Sequence, residues 1–114
     1  MKKNTLQVEI VSDIVCPWCV IGLKNLKKSY KILSKEIIFN INWKPYELRP
    51  QIPVQGIARK NNRFNLKGSS EAIQTIGKEL GFNFNFKKIK VIPNTFLAHR
   101  LVWYVKHINL QNEL

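Results

Sequence analysis

Two cysteines separated by two residues are the side chains of this sequence best suited to chemistry. They lie in Cys16-Pro17-Trp18-Cys19, where an alternating apolar and polar segment gives way to a helical pattern. Thiols at this spacing on a helix can close to a disulfide and open again, because about one turn separates them. The motif therefore indicates thiol–disulfide exchange, with Cys16 as the attacking thiolate and Cys19 as the resolving thiol. Pro17 and Trp18 are expected to tune the redox potential and to shape the surface.

The start of the following helix should activate the first cysteine. Unpaired N–H groups and the positive end of the helix dipole favour a thiolate, so we expect the pKa of Cys16 to fall below the free value of about 8.5. Asp13 precedes Cys16 by three residues and has two interpretations. It relays a proton during exchange, or it caps the helix by accepting orphan N–H groups. The cap is the preferred interpretation.

A metal site and a pair of ordinary structural thiols are the alternatives for this motif. A structural zinc site needs four ligands, and His99 and His107 are the only histidines, about eighty residues further along the chain. An ordinary thiol pair does not require a proline at the first helical position, where Pro17 is well suited. We therefore expect a redox dithiol, with no metal and no other bound cofactor.

The elements around the motif are predicted from hydrophobic periodicity. Residues 6–13 alternate and are β-branched, which predicts a strand, and residues 16–33 carry apolar side chains at helical spacing. Residues 37–44 predict a second strand that Pro45 stops. A strand, a helix and a strand in this order predict a βαβ unit with parallel strands and a right-handed crossover.

The second half of the chain predicts helices. Residues 68–80 form one, capped by Gly68-Ser69-Ser70 and stopped by Gly81. Residues 82–86 are expected to form an extended loop. A last helix begins at Asn94, which we read as its cap, and runs to the final residue. Its buried side is expected to comprise Phe96, Leu97, Leu101, Tyr104, Val105 and Ile108.

Other aromatic and histidine side chains are expected to be structural. Trp43, Tyr46 and Trp103 are assigned to the core, because large aromatic residues bury well. His99 has apolar neighbours on its helix and is expected to be a hydrogen-bonded interior or boundary residue rather than a catalytic one.

Composition restricts the class of protein. The chain has 114 residues and a formal net charge of +12, but 45% of its residues are hydrophobic, which argues against disorder. The basic residues are spread along the chain without a base-reading motif, so we expect no specific nucleic-acid partner. No segment approaches the roughly 20 apolar residues that span a bilayer. Gln7 and Glu9 interrupt the apolar run that a signal peptide needs, so a cytoplasmic protein with no membrane partner is predicted.

Three segments resemble a known family in their order along the chain. They are residues 11–22 around the cysteines, residues 43–50 (Trp-Lys-Pro-Tyr-Glu-Leu-Arg-Pro) and residues 93–101 (Pro-Asn-Thr-Phe-Leu-Ala-His-Arg-Leu). Together they resemble the DsbA-like thioredoxin family, and its FrnE-type dithiol–disulfide isomerases above all. These are related to 2-hydroxychromene-2-carboxylate isomerases and to kappa-class glutathione transferases.

The resemblance implies a thioredoxin fold interrupted by a helical insertion. Residues 1–55 would form the βαβ part with the C-x-x-C motif, and residues 56–114 part of the insertion. Members of the family continue with a cis-proline loop, two strands and a helix, and this chain ends before them. We therefore expect a truncated chain that lacks the C-terminal half of the thioredoxin fold.

The function implied is that of a thiol–disulfide oxidoreductase or isomerase acting on protein thiols and disulfides. Two alternatives remain. The chain is an inactive truncated fragment or a module that depends on a partner, either a second copy or a complementary fragment. Alternatively it is a glutathione-dependent isomerase or transferase of the kappa type, although those proteins usually carry serine where this chain has Cys16.

Overall fold

The computed structural model describes residues 3–61 and 67–112, and it has a mixed α/β fold. Short 3-10 turns follow three of its elements, at Arg59–Asn61, Phe86–Lys88 and Lys106–Ile108. In chain order the strands and helices are β1 (Asn4–Ser12), α1 (Pro17–Leu33), β2 (Ile37–Pro45), β3 (Ile57–Ala58), α2 (Lys67–Glu79), β4 (Val91–Ile92) and α3 (Phe96–Val105).

The βαβ unit predicted from the sequence is confirmed. Strands β1 and β2 pair in parallel over their whole length, from Asn4 opposite Ile37 to Ser12 opposite Pro45. Helix α1 connects them and begins at Pro17, whose missing N–H and fixed φ suit the first helical position. The carboxyl end of β1 therefore leads directly into the first turn of α1.

The second half contains a short ladder that the sequence did not predict. Strands β3 and β4 are antiparallel, with Ile57 opposite Ile92 and Ala58 opposite Val91. Two residues per strand are too few for alternation to be recognised in a sequence. The ladder lies outside the β1–β2 sheet and brings the segment before α3 back to the loop after β2.

Helix α2 ends where Gly81 was predicted to stop it. Gly81 has a φ of +76°, its N–H donates to the Lys78 carbonyl, and the Phe82 N–H donates to the Gly77 carbonyl at 2.8 Å. This pattern is a Schellman motif. The helix begins at Lys67, so Gly68, Ser69 and Ser70 belong to its first turn and do not precede it as caps. The side chain of Ser69 lies outside the described residues.

The phenylalanines after α2 form the expected loop rather than a strand. The rings of Phe82 and Phe84 lie 4.7 Å apart, and those of Phe84 and Phe86 stack at 5.3 Å between centroids. Lys24 of α1 lies over the Phe82 ring, 5.5 Å from its centroid. The loop thus packs its rings together and contacts α1.

Helix α3 differs most from its prediction. It ends at Val105 instead of continuing, because the chain turns through a 3-10 segment and Asn109 takes a left-handed φ of 57°. Only Val105 of the six residues assigned to its buried side is buried. The face that packs inward carries His99, Val102 and Val105, at spacings of three residues that also suit a helix face.

Few side chains are fully buried, and two aromatic assignments were wrong. Tyr46 and Trp103 are 55% and 54% exposed, whereas Trp43 is half-buried in β2. The radius of gyration is 16.3 Å, against roughly 13 Å expected for a compact domain of this length. The described part of the chain contains no helix long and apolar enough to cross a membrane.

Candidate functional site

The two cysteines lie where the sequence placed them, at the first turn of α1. Cys16 is the N-cap residue, and its N–H donates to the Asp13 carbonyl at 3.1 Å. The Cys19 N–H donates to the Cys16 carbonyl at 3.1 Å. Both thiols are free and half-buried, and Trp18 between them is half exposed. The motif is therefore accessible from solvent and is held by the helix start.

The predicted lowering of the pKa of Cys16 is wrong for this arrangement. Burial raises the pKa of its thiol, and the hydrogen bond and charge of the Cys19 sulfur raise it further. The N–H groups of Cys19 and Trp18 at the helix start lower it, as the sequence argument expects, but they are outweighed. Desolvation and a neighbouring thiol therefore prevail over the helix terminus.

The pKa of Cys19 is lowered instead. Burial alone would raise it, but hydrogen bonds from the Ser12 hydroxyl, the Asp13 main chain and the Cys16 thiol stabilise its thiolate. The negative charge of Asp13 opposes this effect. The Cys19 thiol is therefore easier to ionise than the Cys16 thiol, which hydrogen-bonds its sulfur.

Asp13 does not cap α1, so the preferred interpretation of this residue is wrong. Helix α1 has no side-chain cap, and the carboxylate of Asp13 points to other elements. Its Oδ2 accepts a hydrogen bond from the Leu48 N–H at 2.8 Å, and its Oδ1 lies 2.9 Å from Nε2 of His99. Since the helix starts at Pro17, the cap position falls on Cys16, three residues beyond Asp13.

The pair formed by Asp13 and His99 joins the turn between β1 and α1 to α3. Both residues are buried, 3% and 5% exposed, although they are 86 positions apart in sequence. The Thr95 hydroxyl also hydrogen-bonds the carboxylate. The expected interior histidine is thus confirmed, but its partner was not foreseen. Pro17 at the first helical position was the sequence signal that Cys16, and not Asp13, occupies the cap position.

The carboxylate of Asp13 is held in its ionised form. Burial raises its pKa, but the hydrogen bonds from the Leu48 N–H, Thr95 and His99, with the charge of His99, lower it below the ordinary value. Its main chain, in contrast, contacts both cysteines. Asp13 therefore links the thiol pair to the loop after β2 and to α3.

Further polar contacts hold the end of β1, the loop after β2 and the start of α3 together. The Asn94 side chain donates to the Ile52 carbonyl at 2.6 Å, and its Oδ1 accepts the Phe96 N–H at 2.9 Å. Helix α3 begins at Phe96 with Thr95 at the cap position, so the prediction that Asn94 is the cap residue is wrong by one position, although its side chain bonds the first helical N–H. The Tyr46 N–H donates to the Ser12 carbonyl at 3.2 Å. The end of β1, the loop after β2 and the start of α3 therefore meet beside the cysteines.

A largely apolar cavity of about 610 Å³ opens next to Cys19. Cys19, Asp13 and His99 are among its polar lining residues, and α1, β2 and α3 supply most of its walls. Those walls include Val20, Leu23, Leu26, Phe39, Ile41, Trp43, Ala98, Leu101 and Val102. In the described residues no group of three or more His, Cys, Asp or Glu side chains is arranged to hold a metal ion.

Comparison with known proteins agrees with this architecture. The chain is 28% identical over 109 residues to the uncharacterized protein YwbO of Bacillus subtilis (strain 168), covering 96% of this chain and 52% of YwbO. It resembles the crystal structure of a probable DsbA oxidoreductase from Streptomyces coelicolor, with a TM-score of 0.74 and 20% identity over 93% of this chain and 49% of that one. The chain thus spans about half the length of these two relatives.

At 20% identity the second likeness concerns the fold alone. Family membership rests on a broader match, because residues 7–114 fit the DSBA-like thioredoxin domain as a family. The matched region contains all of the βαβ unit except the first residues of β1, together with the cysteine motif and α3. The chain therefore belongs to the family of DSBA-like thioredoxin domains.

Proposed function

We propose that this chain carries the dithiol of a thiol–disulfide oxidoreductase and exchanges disulfides through Cys16-Pro17-Trp18-Cys19. The observation that carries the proposal is a pair of free, half-buried thiols that share a hydrogen bond at the start of α1. Two structural thiols would gain nothing from this exposure, whereas a redox pair requires access to a substrate.

The exchange begins with Cys16 as the attacking group. As a substrate disulfide approaches, the Cys16 proton passes along the shared hydrogen bond to the Cys19 thiolate. The Cys16 sulfur then bonds to one substrate sulfur, and the other leaves as a thiolate that takes the proton from Cys19. Cys19 attacks the Cys16 sulfur and releases the second substrate sulfur as a thiolate. The Cys16–Cys19 pair is oxidised by two electrons, and the substrate disulfide is reduced by the same two.

The finer assignment is to the FrnE-type branch, with isomerase activity on protein disulfides in the cytoplasm. Both cysteines are present, which favours dithiol chemistry over a glutathione-dependent isomerase or transferase. Trp18 is 50% exposed beside the thiols and offers an apolar surface to a polypeptide substrate. We retain the division into a βαβ part, residues 1–55, and a helical insertion, residues 56–114, as part of this proposal.

Dependence on a partner chain is the second candidate function. It is favoured by apolar side chains on α3 that are more than half exposed, among them Leu97 and Tyr104. The elongated shape, 56 by 32 by 17 Å, also leaves little protected interior. A second copy or a complementary fragment covering these side chains would bury them.

The test is reduction of insulin disulfides by dithiothreitol, with this chain compared to its Cys16→Ser and Cys19→Ser variants. We expect acceleration by the wild type and none by Cys16→Ser. When reduced Cys19→Ser is mixed with insulin after the dithiothreitol has been removed, we expect a trapped mixed disulfide at Cys16 that mass spectrometry detects. Equal rates for wild type and Cys16→Ser would refute the proposal for this chain. Size-exclusion chromatography of the same samples tests the partner hypothesis, which a cooperatively folded monomer contradicts.

A further inference from the structure

The buried pair of Asp13 and His99 connects the residues around the dithiol to α3. It joins a residue whose main chain contacts both cysteines to a histidine on a separate helix, at 2.9 Å between Oδ1 and Nε2. Both side chains are nearly inaccessible, 1% for the carboxylate and 7% for the imidazole. A buried carboxylate is costly unless it is paired and hydrogen-bonded, so its position is tightly specified.

Asp13 has separate roles for its main chain and its side chain. Its carbonyl accepts the Cys16 N–H at 3.1 Å, and its main chain hydrogen-bonds the sulfur of Cys19. Its side chain is held by Leu48 at 2.8 Å and by Thr95 and His99. Moving the carboxylate therefore moves the peptide groups that hold the thiols.

From these contacts we propose that His99 is a positioning residue for the dithiol, acting through Asp13. It donates a hydrogen bond from Nε2 to the Asp13 carboxylate and so fixes the peptide groups that contact Cys16 and Cys19. This inference deepens the proposed function and rests on it for its biological meaning, but the effect on the thiols can be measured without any substrate protein.

The charges around the site give the direction of the effect. The Asp13 charge disfavours a thiolate on Cys19, and a hydrogen bond from His99 draws that charge towards α3. The other titratable side chains lining the cavity are Lys27 and Tyr30 of α1 and Lys44 of β2, and Lys44 is paired with Glu9 at 2.8 Å. Loss of the His99 donor leaves the carboxylate less restrained and should make the thiolate harder to form.

The test uses the rate of alkylation of the reduced chain by iodoacetamide between pH 5 and pH 9. His99→Leu removes the donor, and His99→Gln keeps an N–H at about the position of Nε2 without a charge. We expect His99→Leu to react about threefold to tenfold more slowly at pH 7, equivalent to half a pKa unit to one unit, and its profile to shift to higher pH. His99→Gln should stay within about twofold of the wild type.

His107→Leu is the matched control, because His107 is an exposed histidine that contacts Trp103 and lies outside the dithiol junction. It should leave the profile unchanged. If His99→Leu does not fold, as judged by circular dichroism, His99→Asn replaces it, since its amide is about one methylene too short to reach Asp13. A folded donor-free variant with the wild-type profile overturns the proposal, as does His99→Gln reacting as slowly as that variant.

The alkylation result and the insulin result can be interpreted independently of each other. A chain that fails to reduce insulin but shows the His99 effect contradicts the proposed function alone. A chain that reduces insulin normally in all His99 variants, with unchanged alkylation, contradicts the positioning role alone.

Discussion

Two helical glycines provide a paired test of how tightly the second half is packed. Gly77 lies in α2, where an added Cβ would come within 2.7 Å of the Phe84 ring and 2.8 Å of the Phe82 carbonyl oxygen. Gly22 lies in α1, and an added Cβ there meets nothing within 4 Å. Alanine at either site gains the same intrinsic helix preference, about 1 kcal/mol.

The contacts at Gly77 cannot relax cheaply. The Phe84 ring lies between Phe82, which it meets edge to face, and Phe86, on which it stacks. The Phe82 N–H is bonded to the Gly77 carbonyl at 2.8 Å in the helix stop. Overpacking of this kind costs about 1–3 kcal/mol. Gly77→Ala should therefore lose about 0–2 kcal/mol, whereas Gly22→Ala should gain about 1 kcal/mol.

Urea unfolding followed by far-ultraviolet circular dichroism measures both variants against the wild type. The helix preference cancels between the two, so their difference in free energy of unfolding isolates the overpacking, about 1–3 kcal/mol. Equal stabilities for Gly77→Ala and Gly22→Ala would refute the reasoning, because they would mean that Phe82 and Phe84 move away from the added methyl group at no cost in free energy.

Two further predictions concern the polar contacts of the junction. Because the folded-state pKa of Asp13 is lowered, its stabilising contribution is present above the unfolded pKa of about 3.9 and is lost as pH falls through the folded value. Urea unfolding should therefore show that the free energy of unfolding falls more steeply with acid in the wild type than in Asp13→Asn. Parallel decreases in the two proteins would contradict this. Gln111→Ala should cost about 1–3 kcal/mol in the same assay, since Gln111 bonds both the N–H and the carbonyl of Trp43, at 2.8 and 3.1 Å. Asn112→Ala is its control, because Asn112 bonds only the exposed indole N–H, and an equal loss would argue against the Gln111 contact.

The thiol pair shows how far local sequence could lead. Its place at the start of α1 followed from the pattern around Pro17, and the structure agrees to within a residue. The direction of the Cys16 pKa did not follow, because burial and the Cys19 sulfur depend on the packing of the helix start. A helix terminus can be recognised from sequence, but how far folding removes water from the Cys16 thiol cannot.

Helix α3 shows the limit for longer-range structure. Of the apolar residues predicted to be buried only Val105 is buried, and the face that packs inward also carries His99 and Val102, which the prediction had not placed there. A single helix with apolar residues on several sides does not specify which side meets the rest of the chain. The face that packs inward is the one whose His99 hydrogen-bonds the buried Asp13 carboxylate.

The sequence by itself determined the elements of the βαβ unit, the stop of α2 at Gly81 and the position of the cysteines, because strand alternation, helical periodicity and a helix stop each depend on residues within a few positions of one another. Only the tertiary structure decided how those cysteines are held. The link from Asp13 to His99 spans 86 positions, and the clamp of Gln111 on Trp43 spans 68. Such contacts form because buried polar groups must find partners, and the partner is set by where the folded chain brings donors and acceptors together.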